Sequence, residues 1–249
     1  MNIALAQLRR QPAPPIPTLP PGHWDSYPQI DSRLDDGLPC TTGNDAARLI
    51  GLMGGRRKLR QGECLYRNGE PFRYLYGIHS GSFKSALSLA DGCEQVSNFH
   101  MNGEFLGLDG VAESLHASTA TALEDSEVYS LSYAHLGEIC ATAGGMQSTV
   151  MRLISREFVR SNVHMAVLGS LNSAQRMASF LLLQSQQQHA RGYSAVEFHL
   201  KMTRGEIGSF LGMTLETVSR TLTELQLQRL VKVDRRHIVI FSLDALAQV

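Results

Sequence analysis

The residues with the most evident chemistry lie close together, between Glu216 and Arg220. On a helix, Glu216, Ser219 and Arg220 would share one exposed strip of the first two turns. An arginine can donate two hydrogen bonds to guanine O6 and N7, and a glutamate can accept one from a cytosine amino group. A serine is short enough to approach a thymine. This pattern is typical of a helix that reads base edges in the major groove of DNA.

Two short helices joined by a tight turn would hold this strip in place. Thr203 and Glu206 have the spacing of a capping box, which satisfies free backbone N–H groups at a helix start. Gly212 suits the sharp end of that helix, and Thr214 suits the N-cap of the next one. The second helix has a recurring apolar face, formed by Val218, Leu222 and Leu225. We therefore predict a helix-turn-helix whose second helix enters the major groove.

The segment that follows this helix pair is rich in β-forming residues. Residues 231–233 and 237–241 are two such runs, and Asp234-Arg235-Arg236 between them predicts a hairpin, or wing. An ordinary helical hairpin with a solvated polar face would share the apolar stripe. It would explain neither the short turn nor the wing.

Residues 198–225 closely resemble the DNA-binding motif of the CRP/FNR family of bacterial transcription regulators, on its FNR side. The resemblance extends upstream through residues 61–63, 75–81 and 99–107, and so covers about residues 45–249. It implies an α+β fold with an N-terminal β-roll of the cyclic-nucleotide-binding type, which is a double-stranded β-helix. A long dimerisation helix and a C-terminal winged helix-turn-helix complete the family's architecture.

The resemblance also implies a function, that of a sequence-specific transcription regulator, and an activator in particular. FNR-like proteins bind TTGAT-type inverted repeats as homodimers, with the two recognition helices about 34 Å apart on the palindrome. The residues that match the family's base contacts are Glu216, Ser219 and Arg220. Those better placed for DNA phosphates are Thr203, Arg204 and Thr217. Activation would need contact with RNA polymerase, for which the turn at residues 89–93 and the loop at 112–118 are candidate surfaces.

The chain divides into four segments by composition and period. Residues 1–40 hold eight of the nine prolines and predict a disordered arm. Residues 41–143 have glycines at positions 69, 81, 92 and 103, and turns at such regular intervals favour many short antiparallel strands. Residues 144–170 predict one long helix, and residues 171–249 the DNA-binding domain.

The long helix carries a stripe of mainly apolar residues at spacings of three and four. Its members are Val150, Ile154, Phe158, Ser161, Met165 and Leu168. A helix buried against its own domain would show a similar stripe. On a helix that joins two domains, in a family that reads palindromes, the stripe favours a two-fold dimer interface.

The composition argues against a membrane-spanning protein, a disulfide scaffold and an enzyme. The net charge is zero, and from residue 171 onward nine Lys/Arg against six Asp/Glu give +3, which suits a few placed phosphate contacts. No apolar run is long enough to span a bilayer. Four cysteines without framework spacing suit a reducing cytosol, so we predict a cytoplasmic protein. Neither a nucleophile–base set nor metal-ligand spacing is evident, so we predict no enzymatic activity.

The signal that the β-roll senses is less evident. The oxygen-sensing branch of the family holds an iron–sulfur cluster with four cysteines, but the N-terminal part has only Cys40, and Tyr129 occupies the β-roll position. Cyclic AMP is disfavoured because Leu108 and His116-Ala117 fall where that branch has a Glu and an Arg-Ser pair. We therefore predict no cofactor and no metal.

An alternative function remains open, a sensing module that acts chiefly through protein–protein contacts. Haem held by His100 or His164, reversible oxidation at Cys40 or Cys93, or an iron–sulfur cluster would be its signal. That reading requires the recognition face to be idle, and the intact set of three base-contacting residues argues against it.

Overall fold

The computed structural model describes residue 49 and residues 51–249, except for 91, 143 and 144. The predicted arm at residues 1–40, including Cys40, lies outside the described residues. No helix in the described part of the chain is both long enough and apolar enough to cross a membrane.

The described residues up to position 132 include eight short antiparallel strands in two facing sheets. The strands are β1 (Arg56–Leu59), β2 (Cys64–Tyr66), β3 (Tyr74–Ser80), β4 (Ser82–Ser88), β5 (Glu94–Met101), β6 (Phe105–Leu106), β7 (Thr119–Ala122) and β8 (Ser126–Ser132). Their order is β1-β8-β3-β6 in one sheet and β2-β7-β4-β5 in the other. Ile78, Phe83 and Val128 belong to the apolar core of this β-roll. The predicted β-roll is thereby confirmed.

Glycine makes the tightest of these turns possible. Gly81, between β3 and β4, has φ 89°, in the left-handed region that other residues rarely adopt. A Cβ at this position would also collide with Ser126 of β8. Gly69, Gly92 and Gly103 also have positive φ and lie in the connections between strands, as their regular spacing predicts.

The C-terminal half is mainly helical, with a small sheet. A first helix, α1 (Tyr133–Thr142), leads out of the β-roll. The helices after it are α2 (Met146–Ser170), α3 (Ser173–Ala190), α4 (Arg204–Leu211), α5 (Leu215–Leu227) and α6 (Leu243–Ala247). The sheet has the order β10-β11-β9, with β9 at Glu197–His199, β10 at Val231–Asp234 and β11 at His237–Ile240. The predicted α+β class and winged helix-turn-helix are both confirmed.

The two halves share one apolar core. Phe99 of β5 lies against Phe180 of α3 and Phe210 of α4, with ring centroids 6.2 and 5.1 Å apart. Val96 and Leu123 of the β-roll join the same buried cluster as the winged helix. The helix-turn-helix therefore packs against the β-roll of its own chain, and burial of these aromatic rings stabilises the contact.

Candidate nucleic-acid interface

The first helix of the helix-turn-helix begins as its sequence predicts. Thr203 is the N-cap of α4, and its hydroxyl oxygen accepts a hydrogen bond from the Glu206 N–H (3.2 Å). The Glu206 carboxylate accepts from the Thr203 N–H (2.7 Å) and from the Thr203 hydroxyl (2.9 Å). The reciprocal capping box is complete. The Thr203 hydroxyl, predicted to contact a DNA phosphate, is therefore engaged within the box.

Glu206 also joins this helix to the β-roll. Its Oε1 lies 2.9 Å from Nζ of Lys84 on β4, and both side chains are mostly buried. Burial alone would raise the pKa of Glu206, but the Thr203 N–H and Lys84 outweigh it and lower the pKa below its ordinary value. The carboxylate is therefore ionised at neutral pH and serves both the cap and the ion pair. Sequence reasoning missed Lys84, because no periodic signal marks a single lysine on a strand.

A second tie comes from the middle of α4. The Ser209 hydroxyl accepts from the Val96 N–H (2.8 Å), which belongs to β5 at the edge of its sheet. The Gln95 side-chain amide donates to the Ser209 carbonyl. The free backbone groups of an edge strand normally bond to water or to a partner chain. Here the helix-turn-helix accepts a hydrogen bond from one of them, the Val96 N–H.

The turn and the start of α5 place the recognition helix. Gly212 ends α4 with φ 63° and ψ 42°, the left-handed conformation that glycine adopts readily. Thr214 is the N-cap of α5, and its hydroxyl accepts from the Thr217 N–H (3.2 Å). The Thr214 and Thr217 hydroxyls are also bonded to each other (3.1 Å). The Thr217 hydroxyl, like that of Thr203, is therefore shared with a cap.

The predicted reading strip lies on the exposed face of α5. Val218, Leu222 and Leu225 are buried, whereas Glu216 and Arg220 are exposed and Ser219 is half-buried. Arg204 Nη1 donates to the Ser219 hydroxyl (3.1 Å), so a predicted phosphate contact lies directly beside the strip. Among the described residues, Arg220 pairs only with Glu224, in a long, exposed ion pair (3.8 Å). Such a pair contributes little and leaves Arg220 available to bases.

Glu216 carries a full negative charge at the start of α5. Backbone and Thr214 hydrogen bonds lower the pKa of this exposed carboxyl. A carboxylate in the first helical turn also faces the positive end of the helix dipole. It can therefore accept a hydrogen bond from a base amino group across the neutral pH range.

The wing adds cations that the predicted site did not include. Arg235 and Arg236 lie at the turn between β10 and β11, where Arg235 has φ 54°. Together with Arg204 they line a groove of about 340 Å³ between α4, α5 and the wing. Its apolar part includes Leu200 and Ile207. The sequence run Asp234-Arg235-Arg236 was the available signal for these cations.

The stripe predicted for dimerisation lies on α2, and its members differ in exposure. Met151, Ile154, Phe158 and Met165 are exposed large apolar side chains, and Ser161 is exposed between them. Val150 is half-buried instead, packed against the apolar cluster beneath α1 and α2. Leu168 is half-buried beside the Gly212 turn. Val150 and Leu168, at the two ends of the predicted stripe, are therefore partly covered within the chain, whereas the stripe members between them, together with Met151, are exposed. The role of the stripe in a dimer stays a prediction.

The β-roll loop that precedes β7 is closed by its own side chains. The Asp109 carboxylate accepts from the Ser118 N–H (2.9 Å) and hydroxyl (2.8 Å). The buried His116 ring stacks on Tyr66 at a centroid distance of 3.7 Å. Burial and the Asp109 charge raise the pKa of Tyr66, which stays neutral. A fixed carboxylate in this loop opposes the binding of a phosphate there.

The cysteines and Tyr129 are dispersed over the described β-roll and α1. Cys64 and Cys140 are half-buried, and Cys93 is exposed at the end of the β4–β5 turn. The Tyr129 ring lies 5.0 Å from His79. Within the described residues, no group of three or more His, Cys, Asp or Glu side chains is placed to hold a metal ion. The absence of a cofactor stays a prediction.

Two family models match the chain. Residues 175–249 match the model of the Crp-like helix-turn-helix domain, and residues 56–143 match that of the cyclic nucleotide-binding domain. The first match contains the whole helix-turn-helix and wing. The second coincides with the eight-stranded β-roll.

Full-length relatives extend the match to most of the chain. The transcriptional regulatory protein btr of Bordetella pertussis is 39% identical over 212 residues, which cover 85% of this chain and 86% of the relative. The fumarate and nitrate reduction regulatory protein of Escherichia coli K12 is 34% identical, with 85% of each chain covered. The structure of FixK2 from Bradyrhizobium japonicum has a TM-score of 0.72 at 29% identity, covering 77% of this chain and 94% of that one.

Proposed function

Because this chain belongs to the CRP/FNR family of DNA-binding transcription regulators, we propose that it is a homodimeric activator that binds TTGAT-like inverted repeats in the cytoplasm. The observation that carries this proposal is the exposed strip on α5. Glu216, Ser219 and Arg220 share it, with Arg204 beside Ser219. An acceptor, a small hydroxyl and a bidentate donor match the C, T and G edges of such a half-site.

The exposed stripe on α2 supports the homodimer. Phe158, Met165 and Met151 expose 67%, 61% and 59% of their surface. They fall at heptad spacing, and Ile154 and Ser161 occupy the intervening positions. Pairing with the same stripe of a second copy would remove these side chains from water.

Contact with RNA polymerase is the least direct part of the proposal. Both surfaces predicted for it carry an exposed leucine, Leu89 in the β4–β5 turn (47%) and Leu115 in the loop before β7 (46%). A single exposed leucine is ordinary on a protein surface, so the support comes from where the two loops lie. Both loops belong to the β-roll, so they would remain accessible while α5 is bound to DNA.

The test of this function is the base preference of Arg220→Ala. The wild type should select an inverted repeat from a random DNA pool, and its affinity should be measured with every half-site position substituted in turn. We expect Arg220→Ala to lose about 1–3 kcal/mol of DNA-binding free energy and to relax the base preference at one position of each half-site. Little folded stability should change, because the side chain is 70% exposed.

Arg204→Ala is the comparison variant. Because Arg204 is predicted to contact a phosphate, its loss should weaken binding to all DNA sequences about equally. It should also reduce the slope of log affinity against log salt concentration by about one. If Arg220→Ala keeps the wild-type base preference, α5 reads DNA through another face. If the wild type selects no inverted repeat, the proposed function is wrong.

A further inference from the structure

One guanidinium joins the end of α2 to the turn of the helix-turn-helix. Arg176, in the first turn of α3, donates from Nη2 to the Leu168 carbonyl (2.6 Å). It donates from Nε to the Leu171 carbonyl (2.9 Å) and from Nη1 to the Leu211 carbonyl (3.1 Å). Leu168 lies in the last turn of α2 and Leu171 is its C-cap. Leu211 is the last residue of α4.

These carbonyls lie at the ends of two helices, where intrahelical donors are lacking and the helix dipole is negative. A single arginine therefore caps both C-termini at once. Its three hydrogen bonds are charge-assisted and use a rigid, planar group. The arrangement fixes not only each helix end but also the position of one end relative to the other.

Packing at the same junction is close. A Cβ built on Gly212 would lie 3.4 Å from Arg176 Nη1 and 3.6 Å from Leu168 Cδ2, so the turn lies against the end of α2. About one turn earlier, His164 of α2 stacks flat on Phe210 of α4, with centroids 3.9 Å apart. The helix-turn-helix thus meets α2 at two points, a ring stack and the Arg176 cap.

We propose that Arg176 is a positioning residue that holds the helix-turn-helix on the end of α2 and so sets the spacing of half-sites that the dimer accepts. The inference rests on the proposed homodimer. In that dimer α2 carries the two-fold axis, while α5 begins immediately after the turn that Arg176 holds. Every change at this junction is repeated in the second subunit.

A small rotation at the junction is enough to change the separation of the two reading strips. Arg220 lies five residues after Leu215, the first residue of α5, which is about 7.5 Å along the helix. A rotation of about 10° at the start of α5 would move Arg220 by about 1.3 Å over that length. Opposed movements of the two subunits along the DNA axis would change the separation by about 2.6 Å, most of one base-pair step of 3.4 Å.

The experiment compares operators that differ only in spacing. The wild type first selects its inverted repeat from a random pool, and the operator is then synthesised with the spacing between half-sites lengthened or shortened by one base pair. We expect Arg176→Gln to reduce the discrimination between these operators about tenfold, with the base preference within each half-site retained. Arg176→Lys keeps the charge but not the planar fork, so it should also lose discrimination.

Arg191→Gln is the matched control. Arg191 ties the end of α3 to Glu104 and Asn102 of the β-roll rather than to α2. It should weaken folding without changing the preferred spacing. Folding and dimerisation of each variant are checked by circular dichroism and sedimentation, and Arg176→Lys serves if Arg176→Gln does not fold.

Three results would overturn the inference and leave the proposed function standing. Uniform weakening on all spacings, or unchanged discrimination, would give Arg176 a purely structural role. An equal change in Arg191→Gln would assign the positioning to the β-roll contact. In each of these cases the wild type still selects an inverted repeat, so the proposed function stands. A wild type that selects no inverted repeat would overturn both the inference and the proposed function.

Discussion

Glu104→Gln is expected to lower the free energy of unfolding by about 3–5 kcal/mol. Glu104 is 6% exposed, and its carboxylate pairs with two arginines from different parts of the chain. Oε2 lies 2.9 Å from Arg160 Nη1 on α2, and Oε1 lies 3.1 Å from Arg191 Nη2 after α3. Glutamine would remove the carboxylate charge that two largely buried guanidinium groups share, and Arg160 would keep the charge of Glu157. Urea unfolding at neutral pH measures the loss.

The same carboxyl gives the stability a defined pH dependence. Burial alone would raise the pKa of Glu104, but Arg160, His100 and Arg191 outweigh it and hold the pKa at about 2. Because this value lies below the 4.5 of an ordinary glutamate, the folded state binds the proton less tightly than the unfolded state. The contribution is complete above about pH 4.5 and is lost as the pH falls towards 2. The acid decline of Glu104→Gln should therefore be shallower than that of the wild type.

Glu127→Gln is the matched control for this prediction. Glu127 lies on β8 and pairs with Arg56 at 2.6 Å, but the Arg56 side chain is 57% exposed. A pair open to water on one side contributes about 0–1 kcal/mol. If Glu104→Gln and Glu127→Gln lowered the free energy of unfolding by the same small amount, Glu104 would not be the buried centre that joins the β-roll, α2 and α3.

The helix-turn-helix was predictable because all its signals are local. The capping box of Thr203 and Glu206, the left-handed turn at Gly212 and the apolar face of α5 lie within one stretch of about 25 residues. Each is a choice of residue type dictated by backbone chemistry, so one sequence is enough to recognise it. The exposed strip of Glu216, Ser219 and Arg220 follows from the same helical period.

The contacts that seat this motif were not predictable. Lys84 and Glu206 are 122 positions apart, and Val96 meets Ser209 across a similar separation. Arg176 is a single arginine in an amphipathic helix and has no period that distinguishes it from a solvated one. Such pairs arise only when two elements are placed side by side, which sequence periodicity does not encode.

The exposure of each member of the predicted dimer stripe was not predictable for a related reason. Val150, at one end of the stripe, packs partly against the apolar cluster beneath α1 and α2, whereas its neighbour Met151 is 59% exposed. A spacing of four from Val150 to Ile154 satisfies the period as well as a spacing of three from Met151 does. Only the position of the β-roll beside α2 decides which of the two side chains is more exposed.

The largest effect on DNA binding is expected from Phe158→Asp. Phe158 is 67% exposed at the centre of the α2 stripe, three and four residues from Ser161 and Ile154. In the proposed dimer the substitution removes an aromatic contact from each subunit and brings two carboxylates together across the two-fold axis. The chain should become monomeric and lose the gain from binding two half-sites at once, which is about 10²–10⁴-fold. Ser161→Asp should act in the same direction, since it adds the repulsion without removing apolar contact.

Val159→Asp separates the loss of dimerisation from a general effect of an added charge on α2. Val159 is also apolar and 49% exposed, but it lies one residue further on, about 100° around the helix from Phe158. It should leave the protein dimeric and the operator affinity nearly unchanged. Sedimentation and operator binding are measured on the same preparations, in air and without oxygen. If Phe158→Asp still sediments as a dimer with wild-type affinity, the two-fold axis lies on another surface, and the exposed stripe of α2 serves a different contact.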